Sequence, residues 1–179
     1  MLSRMLLEKY KLPYFSLDFL MMGLINGMDN IGFDGETHDR IKAEKMWPLV
    51  KALLTNIYEE GASDYVIEGV AILPKHFKEL EKEFPDSFKG CWLGYPNTEC
   101  EKKLQKIRQF GGGKDDWLRD MVDGDVREVI NYGIEYSKEL AEECQAEGVS
   151  FFDTSYKFLE TLNLAENYML GQGEARNVC

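Results

Sequence analysis

The 179-residue chain contains no run of about 18 apolar residues, which excludes a membrane-crossing helix. It has no Cys-x-x-Cys pair. Cys91, Cys100, Cys144 and Cys179 are widely and irregularly spaced, which argues against a zinc site. Its two histidines, His38 and His76, stand far apart without partners at ligand spacing, so no metal site is expected. Positive charge is scarce: 21 Lys and Arg against 32 Asp and Glu leave a formal charge of −11. That balance repels nucleic-acid phosphates and anionic membranes, so direct nucleic-acid binding is not expected. No secretory signal is expected, because Arg4, Glu8 and Lys9 interrupt the apolar start and no small-residue cleavage site follows. Reduced thiols and a cytoplasmic location are the expectation. No internal repeat or linker rich in Pro, Gly or Ser divides the chain, which predicts one domain over 1–170 and a polar tail over 171–179.

What is present is an alternation of short apolar runs and helical periods. Apolar residues at 2, 5, 6 and 10 predict a helix from the first residues, followed by a strand over 13–17 that runs into Asp18. Phe19 to Ile25 is apolar all round and predicts a short buried helix, closed by Asn26-Gly27. A long helix is expected over 37–60, with Pro48 kinking or dividing it and Gly61 stopping it. Strands are expected at 65–67, 88–93 and 149–152, separated by helices over 74–84, 98–109 and a long one stopped by Gly148. On that last helix Val126, Val129, Ile130, Ile134, Ser137, Leu140, Ala141 and Cys144 share one face. A final helix runs to about Leu170. The Met5, Met21, Met22 and Met28 group reads as core filler, and Trp47, Trp92 and Trp117 as core or hinge anchors. Short strands alternating with helices imply βαβ units, a parallel sheet covered on both faces.

Ligands of such sheets bind beyond the carboxyl ends of the strands. The residues found there are Asp18, Glu68-Gly69, Gly94-Tyr95-Pro96 and Asp153-Thr154-Ser155. A carboxylate in that position can orient a hydroxyl, act as a base or hold Mg²⁺ through water. It can equally cap the following helix, which is the simpler reading of Asp153. A second constellation is Arg108, Lys114 and Arg119, flanking Gly111-Gly112-Gly113. Cations on a hinged segment can close over phosphates, and they also populate any solvated helix surface. The Gly-Gly-Gly-Lys run is no phosphate loop, since the G-x-x-x-x-G-K-[ST] spacing is absent and Asp115 follows the Lys.

In element order the chain resembles the P-loop kinase family of small-molecule and nucleotide phosphotransferases. The resembling residues are S-R-M-L-L-E-K-Y-K-L-P-Y-F-S-L-D at 3–18, Y-V-I-E-G at 65–69, W-L-G-Y-P at 92–96 and F-F-D-T-S at 151–155. The resemblance implies a three-layer α/β/α fold with a mostly parallel sheet of about four strands, lacking the family's first strand. That strand would lie between the one ending at Glu68 and the one ending at Leu93. With it absent, those two are expected to close up and pair. The resemblance further implies an acceptor-side segment over 19–60 and a lid-like segment over 108–124. By the same resemblance Asp18 would face the phosphoryl acceptor and Glu68 the metal or acceptor side. Arg108 and Arg119 would meet the phosphates, Lys114 would join the cofactor side, and Thr154 and Ser155 would lie near the adenine. ATP and Mg²⁺ are the implied cofactors and a small molecule or nucleotide the implied acceptor. The family's G-x-x-x-x-G-K-[ST] loop, which supplies the phosphate cradle, does not occur in this sequence. The expected function is therefore that of a phosphotransferase by ancestry, truncated or inactive as the sequence stands. The alternative is a non-catalytic binding or regulatory protein with a ligand or protein partner, including an acidic inhibitor of a nucleic-acid-binding protein. Acidic side chains clustered on one face would favour the inhibitor, and their dispersal would favour the enzyme-like domain.

Overall fold

The computed structural model describes residues 1–61, 64–111 and 116–172. The chain gathers into two compact units, Met1–Lys89 and a second beginning at Gly90.

The first unit contains α1 (Leu2–Tyr10), β1 (Tyr14–Ser16), α2 (Leu17–Gly27), α3 (Asp39–Glu59), β2 (Val66–Glu68) and α4 (Pro74–Glu83). β1 and β2 pair in parallel with Tyr14 opposite Val66, Phe15 opposite Ile67 and Ser16 opposite Glu68. Pro13 cannot donate to a ladder, but its carbonyl accepts from Val66 N–H at 2.9 Å and so extends the pairing by one bond. The core is built from Leu17 and Met21 of α2, Met46, Trp47, Val50 and Leu54 of α3, Ala71, and Leu80 of α4. These fall three and four apart along their helices, the spacing of a single buried stripe. Each fully buried side chain of this size contributes on the order of 1.5–3 kcal/mol.

The second unit contains β3 (Cys91–Gly94), α5 (Cys100–Phe110), α6 (Asp123–Glu147), β4 (Ser150–Asp153) and α7 (Phe158–Met169). β3 and β4 are parallel, with Cys91 to Gly94 opposite Ser150 to Asp153 in register. α6 buries Val126, Ile130, Ile134, Tyr136, Ser137, Leu140 and Cys144. Leu104 of α5 packs into the same apolar cluster as Val126, Ile130 and Ile134. Gly148 ends α6 in the left-handed region at φ 66°, a conformation that favours glycine, and Val149 N–H returns to Cys144 C=O at 2.9 Å.

Several expectations are corrected. The architecture is mixed α/β with parallel pairing, but its strands form two two-stranded sheets, β1–β2 and β3–β4, rather than one sheet of about four. Strands of three or four residues offer few ladder bonds, and among the described residues each strand's partner lies within its own unit, β1 with β2 and β3 with β4, in place of the expected pairing of 65–67 with 88–93. α3 runs unbroken through Pro48. The lost hydrogen bond is outweighed because Met46, Trp47, Val50 and Leu54, on both sides of the proline, share one core. α2 is not buried all round: Leu17 and Met21 are inside, whereas Phe19 is 78% exposed and Met22 is exposed as well. Of the methionine group, Met21 is core while Met22 and Met28 are exposed, and Trp117 is exposed rather than an anchor. Among the described residues no helix is long and apolar enough to cross a membrane.

Candidate functional site

The strongest candidate lies in the first unit, at the carboxyl ends of β1 and β2. Parallel pairing of Ser16 with Glu68 brings both strands to an end on the same edge. Ser16 is the N-cap position of α2, so Asp18 falls in that helix's first turn, where a negative charge is favoured. One carboxylate oxygen of Asp18, Oδ1, accepts from Val70 N–H at 3.2 Å, across 52 positions of sequence. Gly69 makes this approach possible. It sits at φ 139°, and a Cβ there would fall 2.9 Å from Asp18 Oδ1 and 3.0 Å from Leu17 Cβ. Burial pushes the Asp18 carboxyl above the ordinary range, against the pull of the Val70 N–H. Glu68 and Asp39 add to the rise and Lys42 opposes it. A half-buried carboxylate raised in this way is a better proton acceptor than a solvated one.

Lys42 is the member of this neighbourhood that the sequence did not reveal. It is buried on α3, and its ammonium donates to Gly35 C=O at 2.9 Å and to Asp39 Oδ1 at 3.3 Å. The only local signal was its i,i+3 spacing from Asp39. Lys42 thereby fastens the 34–37 turn, which is closed by Asp34: its Oδ1 accepts from Glu36 N–H, Thr37 N–H and the Thr37 hydroxyl.

A polar network on α3 and α4 was also hidden. His76, the third residue of α4, is buried and lies parallel to Trp47, with centroids 4.4 Å apart. Its Nδ1 accepts from Leu73 N–H at 3.2 Å, capping the helix, so the ring proton is on Nε2, which faces Glu44 at 3.4 Å. Trp47 Nε1–H donates to Glu79 at 2.8 Å, and Lys51 bridges Glu79 and Glu83.

In the second unit the carboxyl ends of β3 and β4 are tied together by polar side chains. Thr154 N–H and Thr154 Oγ1–H both donate to Gly94 C=O at 2.8 Å. Ser155 Oγ accepts from Asn97 N–H at 3.0 Å, while Asp153 accepts from Asn97 Nδ2 and from Ser155 N–H, each at 2.8 Å. Thr154 and Ser155 are thus buried turn residues whose hydroxyls hold the β3 and β4 ends to one another. Asp153 closes the turn after β4 and does not cap α7, whose N-cap position is Lys157 without a side-chain cap bond, so the helix-cap reading of it is corrected.

Arg108 is a staple. Its guanidinium donates to Leu118 C=O and Arg119 C=O at 3.0 and 3.1 Å, to Met121 C=O, and to Asp123. Its five-donor fork gathers the turn ahead of α6. Arg119 is exposed, its side chain 3.9 Å from Asp120. Lys114 lies outside the described residues. The structure therefore brings Asp18 and Glu68 together in the first unit and Arg108 beside the Arg119 backbone in the second. Among the described residues no group of three or more His, Cys, Asp or Glu is placed to hold a metal ion. Compared with family models, with curated proteins and with solved structures, the chain matches none.

Proposed function

We propose that the chain is a phosphotransferase-like α/β protein of the P-loop kinase kind, whose first unit carries an acceptor-binding edge at Asp18 and Glu68. The observation that carries this reading is the tie from Asp18 to Val70 N–H, which fixes a carboxylate of raised pKa at the ends of two parallel strands. A single accepted N–H leaves lone pairs of Asp18 available to a ligand hydroxyl. The parallel pairing of β1 with β2 and of β3 with β4 agrees with the parallel strands the resemblance implies.

ATP and Mg²⁺ enter this reading through the resemblance alone. The donor set at Asp18 suits a hydroxyl acceptor, and the sequence contains no G-x-x-x-x-G-K-[ST] loop to cradle phosphates. The role left to this edge is to bind the acceptor. Acidic side chains are spread over several helices in ion pairs, between helices as in Glu79 with Lys51 and Glu101 with Arg127, and three residues apart as in Glu99 with Lys102 and Glu135 with Lys138. Such dispersal favours the enzyme-like reading over an acidic inhibitor.

The test is calorimetric titration with nucleosides and small sugars. At least one should bind, and Asp18→Asn should weaken it by about tenfold, a difference of about 1.4 kcal/mol. Absence of binding by every polyhydroxyl compound, or full affinity in Asp18→Asn, would sink the reading.

A further inference from the structure

We propose that Lys103 is a nucleophilic amine that condenses with aromatic aldehydes at the carboxyl ends of β3 and β4. Its Nζ stands 4.1 Å from the centroid of the Tyr95 ring and 5.9 Å from that of Phe158. Tyr95 directly follows β3, and Phe158 opens the helix that follows β4. Both rings thus come from the edge of the parallel pair where ligands are held.

The environment of Lys103 differs from that of its neighbours. Lys102 pairs with Glu99 at 2.6 Å and Lys157 with Glu160 at 2.8 Å. Among the described residues no carboxylate lies within ion-pair distance of Lys103. Nothing of opposite charge among the described residues holds the group as an ammonium. Burial lowers its pKa from the ordinary lysine value, and Lys106, one turn along α5, adds repulsion. The face of the Tyr95 ring favours the cation and offsets part of this change. Tyr95 itself supplies no negative charge, because burial pushes its phenol upward.

A half-buried amine with a lowered pKa is the form in which lysine attacks carbonyl compounds. The Nζ lone pair adds to the carbonyl carbon, and the C=O electron pair moves to oxygen, which takes a proton to give a carbinolamine. One of the two nitrogen-bound protons is thereby balanced on that oxygen, and loss of the hydroxyl with the other releases one water and leaves a C=N bond, with no oxidant or reductant required. Two aromatic side chains beside the amine select for a flat ring on the aldehyde, because offset or edge-to-face stacking adds to its retention.

The experiment uses the intact folded chain, 2-hydroxybenzaldehyde as probe at pH 7.5, borohydride to trap the imine, and peptide mass spectrometry to locate it. Lys102 and Lys106, on the same helix, are internal controls. Lys103 should be trapped several-fold faster than either, because its lowered pKa leaves more of it as free amine. That preference should disappear in urea and should be smaller with formaldehyde, which has no ring. Trapping of Lys103 no faster than Lys102 overturns the nucleophile, and an equal preference with formaldehyde overturns the aromatic class. A Tyr95→Ala chain that retains its helical circular dichroism should lose most of the discrimination between the two aldehydes.

Discussion

His76 lies flat on Trp47, the two ring planes within 4° of parallel and their centroids 4.4 Å apart, while His76 Nδ1 caps α4 at Leu73 N–H. The contact joins α3 to α4 through one imidazole, and its strength depends on that imidazole remaining neutral. Protonation would place an Nδ1–H against the Leu73 N–H, two donors facing one another.

The first prediction concerns pH. Burial lowers the His76 pKa below 6.5, and this outweighs the opposing pull of Glu44; Glu79 also favours the cation and Lys75 disfavours it. Because the folded value is the lower one, the unfolded chain takes up the proton first as pH falls. The contribution to stability is therefore complete above about pH 6.5 and is lost progressively below it. Urea unfolding followed by far-ultraviolet circular dichroism should show a lower midpoint at pH 5 than at pH 7.5. His76→Ala should flatten that part of the slope and cost on the order of 1–3 kcal/mol at pH 7.5 through the lost cap and stacked ring. An unchanged slope in the variant would assign the pH dependence elsewhere.

Asp18 behaves in the opposite sense. Its pKa is raised in the fold, so its ionised form is the less favoured one there, and protonation between the folded and unfolded values adds stability as pH falls. Asp18→Asn keeps an oxygen for Val70 N–H and removes the charge, so it should be close to neutral for folding. Asp18→Ala leaves that N–H without its acceptor and should cost about 1–3 kcal/mol. Chemical denaturation of the two variants side by side distinguishes them, and equal midpoints would contradict the tie.

Glycines at two positions should respond with opposite signs. A Cβ at Gly94 would meet Phe151 Cζ at 2.7 Å and the Ser137 side chain at 2.8 and 2.9 Å. Gly94→Ala therefore overpacks the β3–β4–α6 contact and should destabilise by about 1–3 kcal/mol. Gly23 lies inside α2 with nothing within 4 Å of such a Cβ, so Gly23→Ala should stabilise by about 0.5–1 kcal/mol. Thermal melts of both variants provide the check.

Arg108 should be a matter of order rather than of global stability. Arg108→Lys retains the charge but cannot reach three carbonyls and Asp123 together. Limited proteolysis should then cut within residues 116–122 several-fold faster, about the change expected from losing 1 kcal/mol of local closure. Cleavage at the parental rate would show that the staple is dispensable.

Much of the local structure was legible in the sequence. Gly148 stopped α6, Pro74 opened α4, and the repeat from Val126 through Cys144 marked a buried face, because caps and periodicity are properties of neighbouring residues. The continuity of α3 was not legible: Pro48 argues locally for a break, and the core that overrules it is assembled from α2, α4 and the segment around Ala71. The site divides in the same way. Asp18 and Glu68 could be placed at strand ends, but the Val70 N–H that holds Asp18, the burial of Lys42 and the capping role of His76 all depend on long-range packing. Arg108 read as a cation on a hinge, and its carbonyl partners became visible only once the turn before α6 was formed.

The long reach of the two parallel pairs has a kinetic meaning. Asp18 meets Val70 across 52 positions, and Thr154 meets Gly94 across 60. Neither pair can assemble by zipping outward from a tight turn; each waits for a large segment of chain to come back on itself, with α3 or α6 inside the closed segment. Helices complete their local bonds in microseconds or less, so they precede the strands, and strand docking sets the pace of folding. The penalty grows only with the logarithm of the enclosed length, about 0.6 kcal/mol for each doubling. The segment between α2 and α3 can therefore lengthen by several residues with little effect on the rate at which β1 finds β2.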